Sequence, residues 1–184
     1  MSRYLRILAA FVALNVAGVP AAAQHGEVQL GLAASYGTPT AFGAGVGPVA
    51  GIVLGRLAYF GGRWLAYSGG NEQLGPGEPT DLKSSAHVYL TDLGVVIPAG
   101  PFEALPAISL GAARYTQGGV EHAVEFVVAP GLSLHAYLAG LVLIPEVQYL
   151  ITGRPQDLTW PTDRHGAFAS LRVMIPIEVG RVRY

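Results

Sequence analysis

Ser133 and His135 stand two residues apart in the run VVAPGLSLHAYL, and in extended chain a spacing of two puts both side chains on one face. Glu125 shares that phase, and Glu146 on the next segment could join it. A hydroxyl, an imidazole base and an orienting carboxylate are the parts of an acyl-transfer site, so Ser133 and His135 are candidate catalytic residues. Gly45 to Ala50, GVGPVA, has the spacing of a dinucleotide fingerprint. Pro48 follows its second glycine, however, and no helical period comes after to supply the N-terminus that holds a pyrophosphate. The run reads instead as a flexible external loop. Ala66 to Gly70, AYSGG, has the outline of a nucleophile elbow but again no helix, and reads as a strand end. His25, His87, His122 and His165 show no metal-ligand spacing, and the absence of cysteine removes thiolate chemistry. No metal and no cofactor are expected.

The elements that must carry these residues are strands. In GAFASLRVMIPIEV, residues 166–179, every odd position is apolar and the even positions include Arg172 and Glu178. A period of two is the strand signal. The same alternation runs through 27–36, with Val28, Leu30, Leu32, Ala34 and Tyr36 on one side. It returns in 122–136, where Val124, Phe126, Val128, Leu132 and Leu134 oppose Glu125, Ser133 and His135, and in 141–152, where Leu141, Leu143, Val147, Tyr149 and Ile151 oppose Glu146 and Gln148. Further strands are expected at 49–58, 63–68, 85–97 with Asp92, and 104–116 with Arg114. The facing of 49–58 and 104–116 is unreadable, because small and apolar residues fall on both sides. Turns are expected at 59–62, 98–102 and 139–140, and loops at 37–47, 69–84, 117–121 and 153–165. The connections thus alternate between tight and long, so the long ones gather at one end of eight strands.

The N-terminal 23 residues contain Arg3 and Arg6, an apolar run from Ile7 to Val16, and a closing Ala21-Ala22-Ala23. That layout predicts a cleaved secretory signal peptide over 1–23 and one domain over 24–184. Losing Arg3 and Arg6 takes the formal charge from −1 to −3 with no basic cluster, so nucleic acid is an unfavourable partner. Charged residues are only 12% of the chain, about half the usual share, yet no later run approaches the roughly 20 apolar residues of a spanning helix. Apolar residues spread one in two along short strands reconcile these two facts. They are what an all-β, eight-stranded antiparallel up-and-down transmembrane β-barrel requires.

On the signal peptide, the eight alternating segments, the loop asymmetry and the terminal aromatic Tyr184, the chain resembles the small outer-membrane β-barrel family, the eight-stranded porin-like proteins related to outer-membrane proteins A and X. The resemblance implies residence in the outer membrane of a Gram-negative-type envelope, contact with its lipid and lipopolysaccharide, a monomer, and recognition of Tyr184 by the barrel-assembly machinery. Two departures stand out. The phase shifts at Gly180, and Pro130, Pro145 and Pro176 fall inside strands, where each deletes a ladder donor and predicts a bulge or a strand end. A barrel of eight strands is just wide enough for its side chains to fill it. Asp92, Arg114, Glu125, His135, Glu146, Gln148, Arg172 and Glu178 are therefore expected to form an interior charge network, with Arg172 and Arg114 bridging to Glu125, Glu146 and Asp92. Trp160 is the expected external contact residue. The expected role is non-enzymatic, either envelope-structural or surface interaction. One rival is a lipid-modifying hydrolase similar to the outer-membrane lipid A deacylases, although their motif has histidine before serine on a lipid-facing groove and here the order is reversed. Another is a secreted soluble barrel of lipocalin type, with its apolar faces turned inward on a ligand.

Overall fold

The computed structural model describes residues 26–39, 41–55, 57–72, 82–118, 120–153 and 165–179. Eight long strands run in sequence: β1 (Gly26–Gly37), β2 (Gly43–Leu54), β3 (Ala58–Tyr67), β4 (Leu82–Val95), β5 (Phe102–Gln117), β6 (Val120–Leu138), β7 (Leu141–Thr152) and β8 (Gly166–Val179). Each pairs antiparallel with its neighbour in sequence, and β1 pairs with β8, so the sheet closes on itself. Two short segments, Asn71–Glu72 and Ile97–Ala99, extend the hairpins around β4. The chain is an eight-stranded up-and-down β-barrel with no free sheet edge along its staves. The strand ends joined by its two longest connections, 68–81 and 153–165, lie at one end of the barrel, and those joined by 55–57, 96–101 and 139–140 lie at the other. Ala139 and Gly140 both take positive φ, the conformation of a two-residue primed hairpin turn.

β7 and β8 occupy the segments expected from their alternation. β2 does not: Gly43 to Pro48, read as loop, is its first half, and 59–62, read as a turn, lies inside β3. Both differences have one cause. The inward positions of β2 are largely glycine because the rings of β3 lean over them. A Cβ on Gly45 would meet the Tyr67 ring, and one on Gly51 or Gly61 would meet the Tyr59 ring. The true turn lies at 55–57, where Gly55 takes φ 56° and Leu57 N–H donates to the Leu54 carbonyl at 3.0 Å. The prolines also behave differently from expectation. Pro130 and Pro145 leave gaps in the β6–β7 ladder without changing its register, and Pro176 pairs with Gln29 in an unbroken β1–β8 register. The register shift in the described ladders lies between Arg114 and Thr116 on β5.

The outer face of the wall is apolar, while the inner face mixes apolar side chains such as Leu65, Val88, Val127 and Ile144 with the buried charged and polar ones. Outward side chains include Leu30 and Leu32 of β1, Val46 of β2, Phe126 and Leu132 of β6, Val147 of β7, and Leu171, Val173 and Ile175 of β8. Leu32, at mid-strand, is 67% exposed. Exposed aromatics sit near both ends of the strands, with Tyr36, Trp64 and Tyr149 toward the long connections and Phe60 and Phe102 toward the tight turns. An apolar band between two aromatic girdles is what lipid and its headgroup zones require. No helix among the described residues is long and apolar enough to cross a membrane.

Candidate functional site

The interior is filled in three layers. Beneath the long connections, Phe42 is tucked into the barrel and meets Tyr67, Tyr115 and Phe168 edge-on, with ring centroids 5.3, 5.8 and 4.9 Å away. This aromatic cap closes that end. At the opposite end Tyr59, Val53, Val96 and Leu105 form a smaller apolar cluster. Between the two lie the charges.

Five strands converge on the middle layer. Arg63 of β3 donates from Nη1 to Glu146 Oε2 at 2.5 Å, and from Nη2 to Asp92 Oδ1 at 3.1 Å, Ser109 Oγ at 3.1 Å and Gln148 Oε1 at 2.7 Å. Arg172 of β8 grips Glu146 with two nitrogens, Nε to Oε2 at 3.3 Å and Nη2 to Oε1, and its Nη1 stands 3.1 Å from Asp92 Oδ2 and 3.3 Å from the Tyr59 hydroxyl. Ser109 donates to Asp92 at 2.5 Å, Gln148 to Ser109 at 2.8 Å, and Ser170 to Glu146 at 3.0 Å. Two cations thus face two carboxylates, all with side chains about 1% exposed. Charges this far from water persist only when paired, and all four are ion-paired here, although Arg63 Nε has no hydrogen-bond partner and Asp92 Oδ2 meets Arg172 as an ion pair without a hydrogen bond.

Of the residues expected inside, Asp92, Glu146, Gln148 and Arg172 come together here. The partner expected to be Arg114 is Arg63. Arg114 points outward: Ala113 and Tyr115 flank it inside, and its ladder partner Val124 is among the exposed apolar residues. Near the strand end a long cation on an apolar wall can extend its charged head past that wall to polar surroundings. Glu125 keeps the inward phase but lies at the long-loop end beside Gly153, away from the middle layer. Glu178 has the inward phase too, yet as the second-last residue of β8 it is exposed at the mouth. Trp160 and Tyr184 lie outside the described residues. Arg63, Ser109 and Tyr59 were not singled out from sequence. The available signal was phase, since Arg63 alternates with Leu65 and Tyr67 on the inward side of β3.

Ser133 and His135 are both inward and at most 1% exposed. Neither the Ser133 hydroxyl nor either His135 nitrogen has a hydrogen-bond partner. His135 lies edge-on to Tyr59, at 5.7 Å between ring centroids. A nucleophile must be bonded to its base and reachable by substrate; this pair is neither. Because the hydroxyl is buried without a partner, Ser133→Ala is expected to leave unfolding free energy unchanged or raised by about 1 kcal/mol in chemical denaturation. A loss above that size would show that Ser133 holds a partner in the folded protein.

Among the described residues no three of His, Cys, Asp and Glu gather as a metal-binding group. No family model and no curated protein matches the chain. Among solved structures it is similar to Neisserial surface protein A, at 14% identity over 85% of this chain and 97% of that one, with a TM-score of 0.47. It is similar also to the N-terminal β-barrel domain of Pseudomonas aeruginosa OprF, at 10% identity over 84% and 98%, TM-score 0.46. A third is Ail, the attachment invasion locus protein of Yersinia pestis, at 11% identity over 84% and 98%, TM-score 0.42. The eight-stranded antiparallel barrel of this chain rests on its own strand pairing. The likeness is one of fold alone, and nothing about activity or partners follows from it.

Proposed function

We propose that the chain is a non-enzymatic integral protein of the outer membrane, exported by a leader over 1–23 and acting as a plugged barrel in an envelope-structural or surface-interaction role. The observation that carries this reading is the outer face of the wall, which is apolar along the strands while the charges of Arg63, Arg172, Asp92 and Glu146 are buried inside among apolar side chains. A soluble ligand-binding barrel of lipocalin type needs the reverse, an apolar pocket within and a polar surface without. Among the described residues the charge network and the Phe42 cap fill the lumen, which favours a structural or loop-borne role over transport of a large solute. The loop carrying Trp160 and the outward patch of Trp64, His87 and Arg114 are the surfaces this reading assigns to contact with partners and lipopolysaccharide. It assigns Tyr184 to the barrel-assembly machinery, and a monomer to the membrane.

Gel mobility of cell fractions, with and without boiling, tests the proposal. A band confined to the outer-membrane fraction that shifts on heating is the expected result. Recovery in the soluble periplasmic or secreted fraction would overturn it. The hydrolase alternative predicts release of fatty acid from lipopolysaccharide that is lost in Ser133→Ala or His135→Ala. The buried, unbonded state of both residues favours no release in the parent protein.

A further inference from the structure

The mouth at the tight-turn end carries charge that the described residues do not balance. Glu27 of β1 and Glu103 of β5 both reach the hydroxyl of Tyr137 on β6, at 3.3 and 3.4 Å. A phenol has one proton and can donate to only one carboxylate at a time. The other carboxylate then faces an oxygen lone pair. Glu178 stands directly opposite Glu27 in the β1–β8 ladder, and like charges so placed repel. None of the ion pairs among the described residues reaches Glu27, Glu103 or Glu178, since Arg63 and Arg172 are taken by Asp92 and Glu146. Beside this cluster Gln29 is fully buried. Its Nε2 donates to Glu27 Oε1 at 2.6 Å, which leaves Oε1 of the same amide in the same layer with no partner. An orphaned buried carbonyl oxygen beside two carboxylates that share one proton is an arrangement to which the described residues supply no cation.

We infer that Glu27, Glu103, Gln29 and Tyr137 form a binding site for a hard divalent cation at the mouth opposite the long loops. Every donor there is oxygen, which suits calcium or magnesium and disfavours softer metals. Two carboxylates, one amide oxygen and a phenol fall short of a full shell, so water completes it and Glu178 adds charge from outside. Sites with so few charged ligands bind in the range of roughly 0.1 to 1 mM. The membrane-barrel reading contributes only the compartment, in which this mouth faces the periplasm.

The test uses the full chain refolded in a non-ionic detergent free of lipopolysaccharide, with heat-modifiable gel mobility confirming the barrel independently of any ion. Terbium is the probe, because a nearby tyrosine sensitises its emission, and calcium is the competitor. The expected result is saturable emission that calcium displaces. Glu27→Gln and Glu103→Gln should each weaken binding about tenfold or more, the double variant should abolish it, and Tyr137→Phe should lower the emission. The Gln variants relieve repulsion and should keep the folded mobility. Emission that persists in the double variant, or is unchanged in Tyr137→Phe, would overturn the assignment. So would a silent parent protein. If binding then emerged in Arg56→Gln or in Arg181→Gln/Arg183→Gln, an arginine of the chain itself would be the occupant rather than a metal.

Discussion

Arg172→Met should destabilise the barrel by about 3 to 5 kcal/mol, the cost of removing one member of a buried ion set and leaving the others charged. The substitution keeps an unbranched apolar stem in place of the guanidinium's, so most of the loss is electrostatic. Without Arg172, the single cation Arg63 faces both Asp92 and Glu146, and the Tyr59 hydroxyl loses its donor. Urea unfolding of the refolded chain in detergent, followed by tryptophan fluorescence, reads the effect. Arg172→Met combined with Glu146→Leu removes one charge of each sign and leaves Arg63 and Asp92 bonded at 3.1 Å. That pair of changes should recover most of the loss, since apolar replacement of a complete buried pair is often neutral. A single variant within about 0.5 kcal/mol of the parent would mean that water reaches the layer and screens it.

The sequence disclosed this layer unevenly, and the reasons are physical. β7 and β8 read cleanly because an apolar surround, lipid on the proposed reading, demands an apolar residue at every outward position, which fixes the phase of Glu146, Gln148 and Arg172. No such demand acts on the inner face. There the requirement is total volume, and Tyr59 and Tyr67 of β3 fill the space that Gly51 and Gly45 of β2 leave open. The alternation of β2 is thereby erased, because its inward volume is encoded on another strand. A turn at 59–62 leaves Arg63 as the first residue of the expected strand 63–68, where only its phase with Leu65 and Tyr67 marks it as inward. Arg114 failed for a related reason: β5 carries Ala112 outside and Ala113 inside, so neither face announces itself, and the ladder slips just beyond Arg114. The aromatic cap was illegible because Phe42 comes from a connection rather than a strand.

The decisive contrast between a lipid-facing and a water-facing wall lies at Leu32. It sits mid-strand opposite Val173, is 67% exposed, and has an aliphatic neighbour on each flanking strand. Leu32→Arg should destabilise the barrel in a phospholipid bilayer by about 2 to 4 kcal/mol, the cost of a cation near the membrane midplane. At Tyr36, near the strand end, the same change should cost only about 0 to 1 kcal/mol, because arginine there can reach the headgroups. Reversible urea unfolding from liposomes would measure both. A soluble barrel predicts something else: exposed leucine to arginine in water falls within about 0.5 kcal/mol at either depth. The depth dependence therefore separates the two walls even if the absolute values shift with the lipid used. Equal, small effects at Leu32 and Tyr36 would mean that water covers this surface, and the apolar band would then have to be the face of an assembly.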